Sequence, residues 1–187
     1  IPIEGLNNIN QANSITINPQ KIIGITKTSS LLLVSNMSTL ENTFSTGLPY
    51  ISSKENITNR GEIGIQGSRP AEVIKLWLGL RFLGLKGIEE ILMSSIKRKD
   101  FFIENISKNK YEINSGPLHI TSFIPKELKP KDTDFWTQSK INELMKKNFM
   151  LSRPKFNGKY YLRVVMGNYN TNETHIKELL KILDTYI

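Results

Sequence analysis

The reading of this chain turns on Ser14-Ile15-Thr16-Ile17-Asn18-Pro19-Gln20-Lys21-Ile22-Ile23-Gly24. Ser14 to Ile17 alternates and is rich in β-branched residues, which predicts a strand. Asn18-Pro19 ends it, because proline fixes φ and donates no amide hydrogen. A lysine then stands on a tight turn. Further on, Ser30 to Val34 predicts a second strand, and its unbroken apolar run predicts burial on both faces, as in an α/β sheet. Taken by itself, a lysine at such a place reads as a solvated side chain after a turn.

Residues 36 to 68, rich in Ser, Thr, Asn and Gly, predict a long irregular loop, a feature that in a compact domain is usually functional. Ser68 then has the character of an N-cap, with Pro70 and Glu72 in the first turn. Val73, Leu76, Trp77, Leu80 and Leu83 follow at helical spacing, with Trp77 expected in the core. Gly84 and Gly87 punctuate the helix. Ile88, Ile91, Leu92 and Ile96 carry a second helix to Lys97-Arg98-Lys99, where cations suit a C-terminus. Beyond Phe101 the order predicted is strand (Lys110 to Ile113), strand (His119 to Ile124), helix (Phe135 to Phe149), strand (Tyr160 to Met166) and helix (Asn172 to Tyr186). That order predicts an α+β module with its own core.

Bulk properties bound the function. The chain has 187 residues, 39% of them hydrophobic, enough for a real core and suited to one domain or parts of two. Its formal net charge is +8. The basic residues are scattered without interleaved stacking aromatics, so they are expected to form a solvated surface, with no nucleic-acid partner. No apolar run nears the roughly 20 residues that span a bilayer, so no membrane partner is expected. There is no cysteine, which fits a cytoplasmic location. The two histidines are far apart and no carboxylates are paired, so no metal site is expected; both histidines are expected in structural or surface roles.

Several stretches, taken together, resemble one family. Asn18-Pro19-Gln20-Lys21 is similar to the N-P-H-K turn of the group II pyridoxal-phosphate (PLP) dependent amino-acid decarboxylases, which act on substrates such as glutamate, aromatic amino acids, cysteine sulfinate and 2,4-diaminobutyrate. Asn13-Ser14-Ile15-Thr16 resembles the family's A-D-S-I-T. Thr28-Ser29-Ser30 with Leu31 to Val34 resembles its polar-C-S-A stretch and following strand. Gly61 with Gln66-Gly67-Ser68-Arg69 resembles G-x-x-x-x-Q-C-G-R. Lys75-Leu76-Trp77-Leu78 and Gly84-Leu85-Lys86-Gly87-Ile88-Glu89 resemble K-x-W-L and G-x-x-G-x-E. Pro117 to Pro125 and Leu162 to Asn168 resemble small-domain strands. The likeness covers nearly the whole chain in order.

The resemblance implies a fold: the end of a PLP fold-type I large α/β domain over residues 1–69, then linking helices and a small α+β C-terminal domain over residues 70–187. It implies PLP as cofactor, an amino-acid substrate and a homodimer. It implies that Lys21 attaches the cofactor, with Gln20, Ser29 and Ser30 beside it. Arg69 matches the arginine of Q-C-G-R, implying contact with a substrate carboxylate, for which a planar guanidinium is well shaped. Tyr50, in Thr46-Gly47-Leu48-Pro49-Tyr50-Ile51, resembles the catalytic-loop A-G-Y-L of glutamate decarboxylases and implies a phenol that protonates the product carbon. Two positions depart from the pattern: Gln20 stands where the family has His, and Asn13 where it has Asp. The family's ring-stacking His and ring-pairing Asp lie upstream of its lysine, by more than this chain contains, so the isolated chain is expected to be inactive. The alternative is a non-catalytic paralogue, or a fragment serving as a dimerisation module.

Overall fold

The computed structural model describes residues 3, 5–26, 29–48 and 60–186. Tyr50 lies outside them. The chain falls into two compact units, residues 8–83 and residues 84–187 joined by 1–7.

In the unit of residues 8–83, β1 (Ser14–Ile17) and β2 (Leu31–Val34) pair antiparallel, with Ser14 opposite Val34 and Ile17 opposite Leu31. Between them lies a one-turn helix, α1 (Pro19–Ile22), with proline in its first turn. Gly24 follows at φ +70°, the left-handed conformation that ends helices and that glycine adopts without a Cβ clash. Ile25 is buried and packs so closely on Gly79 that a Cβ there would lie 2.1 Å from its Cδ1. The expectation that β2 is buried on both faces is corrected: Leu32 and Leu33 are 54% and 49% exposed, because among the described residues β2 pairs with β1 alone.

Residues 36–68 are not uniformly irregular. Helix α2 spans Ser38–Phe44, and a 3₁₀ turn spans Arg60–Glu62. Polar side chains support α2 where apolar spacing does not: Asn36 Oδ1 accepts from the Ser38 amide at 3.0 Å, and the Thr43 hydroxyl donates to the Thr39 carbonyl at 2.6 Å.

Helix α3 runs from Val73 to Asn105 and is interrupted at Gly84, where φ 62° and ψ 178° are open to glycine alone. It begins at Val73, after Pro70 and Glu72, so Ser68 is not its cap. Gly87 does not break it, and Lys97-Arg98-Lys99 lies inside it. Phe102 and Ile106 extend the apolar pattern beyond the cations and are buried at 0% and 4% exposure. Trp77, expected in the core, is 59% exposed, with the Arg81 guanidinium 5.9 Å from its ring centre.

The unit built on residues 84–187 has a three-stranded antiparallel sheet, β3 (Tyr111–Ser115), β4 (Ile120–Pro125) and β7 (Leu162–Val165), in the order β3-β4-β7. The β5 (Lys155–Phe156) and β6 (Lys159–Tyr160) hairpin turns on Asn157 and Gly158, both at positive φ. The predicted strand over 160–166 is thus divided, and its β7 part is in a different sheet from β2. Helices α4 (Thr133–Lys146) and α5 (Glu173–Asp184) complete the unit.

The core joins Phe102, Tyr111, Phe123, Leu144, Leu162, Ile176 and Leu183. Phe123 stands 5.5 Å from both Phe102 and Tyr111, edge-on to the latter. Aromatic pairs of this kind add about 0.5–1.5 kcal/mol beyond burial. The Tyr111 hydroxyl donates to the Leu183 carbonyl at 2.8 Å, satisfying a polar atom that burial would otherwise penalise. Burial also pushes the Tyr111 phenol up, so it stays neutral. Helix α5 opens on a reciprocal cap: Asn172 Oδ1 accepts from the His175 amide (3.2 Å), and His175 Nδ1 accepts from the Asn172 amide (3.3 Å). A cap of this kind contributes about 1 kcal/mol. It gives His175 the structural role expected of it.

Candidate functional site

The antiparallel register places Ile17 opposite Leu31, so the segments flanking those residues meet at one end of the β1–β2 pair. One is Asn18 with α1; the other is Ser29-Ser30. The Ser30 hydroxyl donates to Asn18 Oδ1 at 3.0 Å and lies 3.4 Å from the Ile17 carbonyl. The Lys21 amide donates to the Asn18 carbonyl at 3.0 Å, which closes the turn beneath the lysine. Asn18 therefore links the lysine turn to the serine pair. Its importance is hidden in sequence, where it reads only as a strand terminator.

Four of the candidate residues, Gln20, Lys21, Ser29 and Ser30, are thus gathered at one strand end. Two of them carry buried polar atoms with no partner among the described residues, Gln20 Oε1 and the Ser29 hydroxyl. Such atoms are uncommon in folded proteins and call for a reason, a missing ligand among them. Lys21 is exposed, so the burial expected to free its amine of a proton is not supplied by this chain.

The donor set fits PLP. The Ser29 hydroxyl can donate to a phosphate oxygen. The Gln20 carboxamide offers a donor or an acceptor according to its orientation. Lys21 carries a primary amine, a group able to react with an aldehyde. Among the described residues there is no cluster of His, Asp and Glu suited to a metal ion.

Arg69 is exposed and braces the turn before α3: its Nε donates to the Gln66 carbonyl at 3.1 Å and its Nη2 to the Arg60 carbonyl at 3.3 Å. Sequence reasoning passed over Glu62. The residue is 5% exposed, and its carboxylate accepts from the Ser45 hydroxyl, the Thr46 amide (3.0 Å) and the Thr46 hydroxyl (2.9 Å). The bonds from Ser45 and then Thr46 hold its acidity below the usual carboxylate range, against the effect of burial. It pins the start of the segment that leads toward Tyr50. The only signal for it in sequence was its place beside Gly61 in the glycine-to-glutamine motif.

Known proteins are similar to this chain over nearly its whole length. The aromatic-L-amino-acid decarboxylase of Bacillus atrophaeus is 28% identical over 188 residues, covering 95% of this chain and 38% of that protein. Tyrosine decarboxylase 2 of Arabidopsis thaliana is 23% identical, covering 98% of this chain and 35% of that protein. The chain thus spans well under half the length of these curated relatives. Among solved structures, Oryza sativa TDC with PLP and tryptamine superposes with a TM-score of 0.80 at 16% identity, over 97% of this chain and 40% of that one. Mouse CSAD in apo form superposes with a TM-score of 0.73 at 20% identity, over 97% and 41%. The fold is therefore that of a C-terminal part of a fold-type I PLP decarboxylase. The sequence profile described as the pyridoxal-dependent decarboxylase conserved domain matches residues 3–120, most of the chain, and the protein belongs to this family, whose cofactor is pyridoxal phosphate.

Proposed function

We propose that the complete protein removes the α-carboxyl group of an L-amino acid as CO₂ and releases the amine, with Lys21 holding the cofactor. The observation that carries this reading is the gathering of Lys21, Gln20, Ser29 and Ser30 at one end of β1 and β2, with two buried polar atoms left without partners. Residues 1–69 act as the end of the cofactor-binding large domain, and residues 70–187 as linking helices and small domain. When bound, PLP supplies an electron sink for the carbon–carbon bond that breaks.

The chain's own residues have separate tasks. Lys21 Nζ would hold the cofactor through its aldehyde carbon. The Ser29 hydroxyl and the Gln20 carboxamide hold and orient the cofactor, and Ser30, through Asn18, fixes the lysine turn. Arg69 faces a substrate carboxylate with donors that its two backbone bonds do not use. Tyr50 gives a proton to the substrate Cα once CO₂ has left. The working protein is a cytoplasmic homodimer. Among the described residues, no helix is long and apolar enough to cross a membrane.

Gln20 and Asn13, which replace the family's His and Asp, favour a second reading: a non-catalytic paralogue or dimerisation module. The two are separated by CO₂ release from carboxyl-labelled amino acids. The complete protein, purified with PLP, is offered glutamate, 2,4-diaminobutyrate, cysteine sulfinate and the aromatic amino acids. The expected result is stoichiometric CO₂ and amine from at least one of them. No release from any would leave the non-catalytic reading standing.

A further inference from the structure

Helix α3, strand β4 and the end of β7 are tied together through the backbone of Met166. Arg98, on α3, donates to the Met166 carbonyl from Nε at 3.1 Å and from Nη2 at 2.9 Å. The Met166 amide donates in turn to the carbonyl of His119, just ahead of β4, at 2.9 Å. His119 is 7% exposed, and its Nδ1 is buried without a hydrogen-bond partner. This histidine takes no part in the proposed chemistry, and a buried ring nitrogen left unpaired is unusual.

We propose that His119 is an acid-sensitive latch: neutral, it lets Arg98 grip Met166, and protonated, it sets a second cation against Arg98 and loosens the junction of α3, β4 and β7. Among the described residues, the charged groups on these elements offer no relief. From α3, Arg98 reaches the Met166 carbonyl, and its positive charge acts against a charged imidazole. The neighbouring Lys99 is itself 8% exposed and engaged with Asp100 (3.0 Å) and the Gly116 carbonyl (3.4 Å). Strand β4 has no charged residue. The one on β7, Arg163, donates from Nε to the Ser152 hydroxyl at 2.8 Å. Burial first, and the charge of Arg98 second, hold the imidazole below its ordinary value near 6.5.

The sign follows from linkage. The unfolded chain takes up a proton at His119 at a higher pH than the folded chain does, so stability falls with acidification. The loss is absent well above pH 6.5, begins as pH drops through that value, and stops growing below the lowered folded value. The slope corresponds to at most about one proton.

The test is thermal unfolding of the complete protein from pH 8 to pH 5, wild type against His119→Gln. The expected result is that the variant loses less stability than the wild type between pH 7 and pH 5, by the linkage of about one proton. Parallel profiles would overturn the proposal. A second measurement needs only the wild type, should the variant fail to fold. Hydrogen exchange at the Met166 amide, corrected for the intrinsic effect of pH, should lose protection between pH 7 and pH 5, by about tenfold for each unit that separates the two proton affinities. Unchanged protection at Met166 would equally overturn it.

Discussion

Lys21→Ala, made in the complete protein, is expected to abolish both the visible absorbance of bound cofactor and the release of CO₂. The loss follows from chemistry rather than from unfolding. Lys21 is exposed on a one-turn helix, and its backbone amide, which closes the turn onto Asn18, is kept by alanine. A surface change of this kind shifts stability by only about 0.5 kcal/mol either way. With both proteins stripped of cofactor, the melting temperature should therefore match that of the wild type, while activity with cofactor added falls to background. Lys75 cannot take over: it lies on α3, ion-paired with Glu72. A variant that kept the absorbance band would place the covalent attachment elsewhere. One that lost absorbance together with its melting transition would show that Lys21 serves the fold, against its exposure.

Tyr50→Phe is expected to fail differently. It removes one hydroxyl and leaves Lys21, Gln20 and Ser29 untouched, so the absorbance of bound cofactor should be that of the wild type. What is lost is the proton donor to the substrate Cα. A positioned general acid contributes about 10²- to 10⁴-fold, so amine formation should slow by that order. The deficit should appear in kcat, because the hydroxyl is called on only after CO₂ has left and does not help substrate to bind. Products of protonation at the wrong atom should accumulate beside the amine. Amine and side products quantified in one reaction give the answer. Wild-type rates of amine formation would reduce Tyr50 to an ordinary loop residue and return the search for the acid to the rest of residues 36–68.

What could be read in the sequence depended on how local each signal was. Helix α5 was legible because Ile176, Leu179, Leu180 and Leu183 repeat at helical spacing behind an Asn cap, and all four are buried. Strand β1 was legible because Ser14-Ile15-Thr16-Ile17 alternates and is rich in β-branched residues. Helix α2 was not, because Ser38–Phe44 is polar and is held by hydroxyl and carboxamide bonds that have no periodicity. The length of α3 was underestimated because Lys97-Arg98-Lys99 reads as a C-terminal cation cluster. Tertiary burial of Phe102 and Ile106 carries the helix further, and Arg98 and Lys99 are used for contacts to backbone carbonyls. The apolar run of β2 spoke for a sheet larger than the two-stranded one that the described residues form.

At the site, Lys21 was legible only through its ordered likeness to a family, since a lysine after a turn has no chemistry of its own. The convergence of Ser29-Ser30 on the lysine turn needed the strand register, and the Asn18–Ser30 bond that fixes it spans 12 residues. Glu62 was hard to see because its partners, Ser45 and Thr46, lie 17 and 16 residues upstream, in a stretch that reads as loop.

The central claim is that Lys21 is the residue to which this protein attaches its cofactor. Reduction of the complete PLP-loaded protein with borohydride, followed by proteolysis and peptide mass mapping, tests it most directly. The account predicts one modified site, a phosphopyridoxyl group on Lys21 within the peptide that continues Ile22-Ile23-Gly24. A phosphopyridoxyl group on any other lysine, or none on Lys21 in protein that binds PLP, would contradict it.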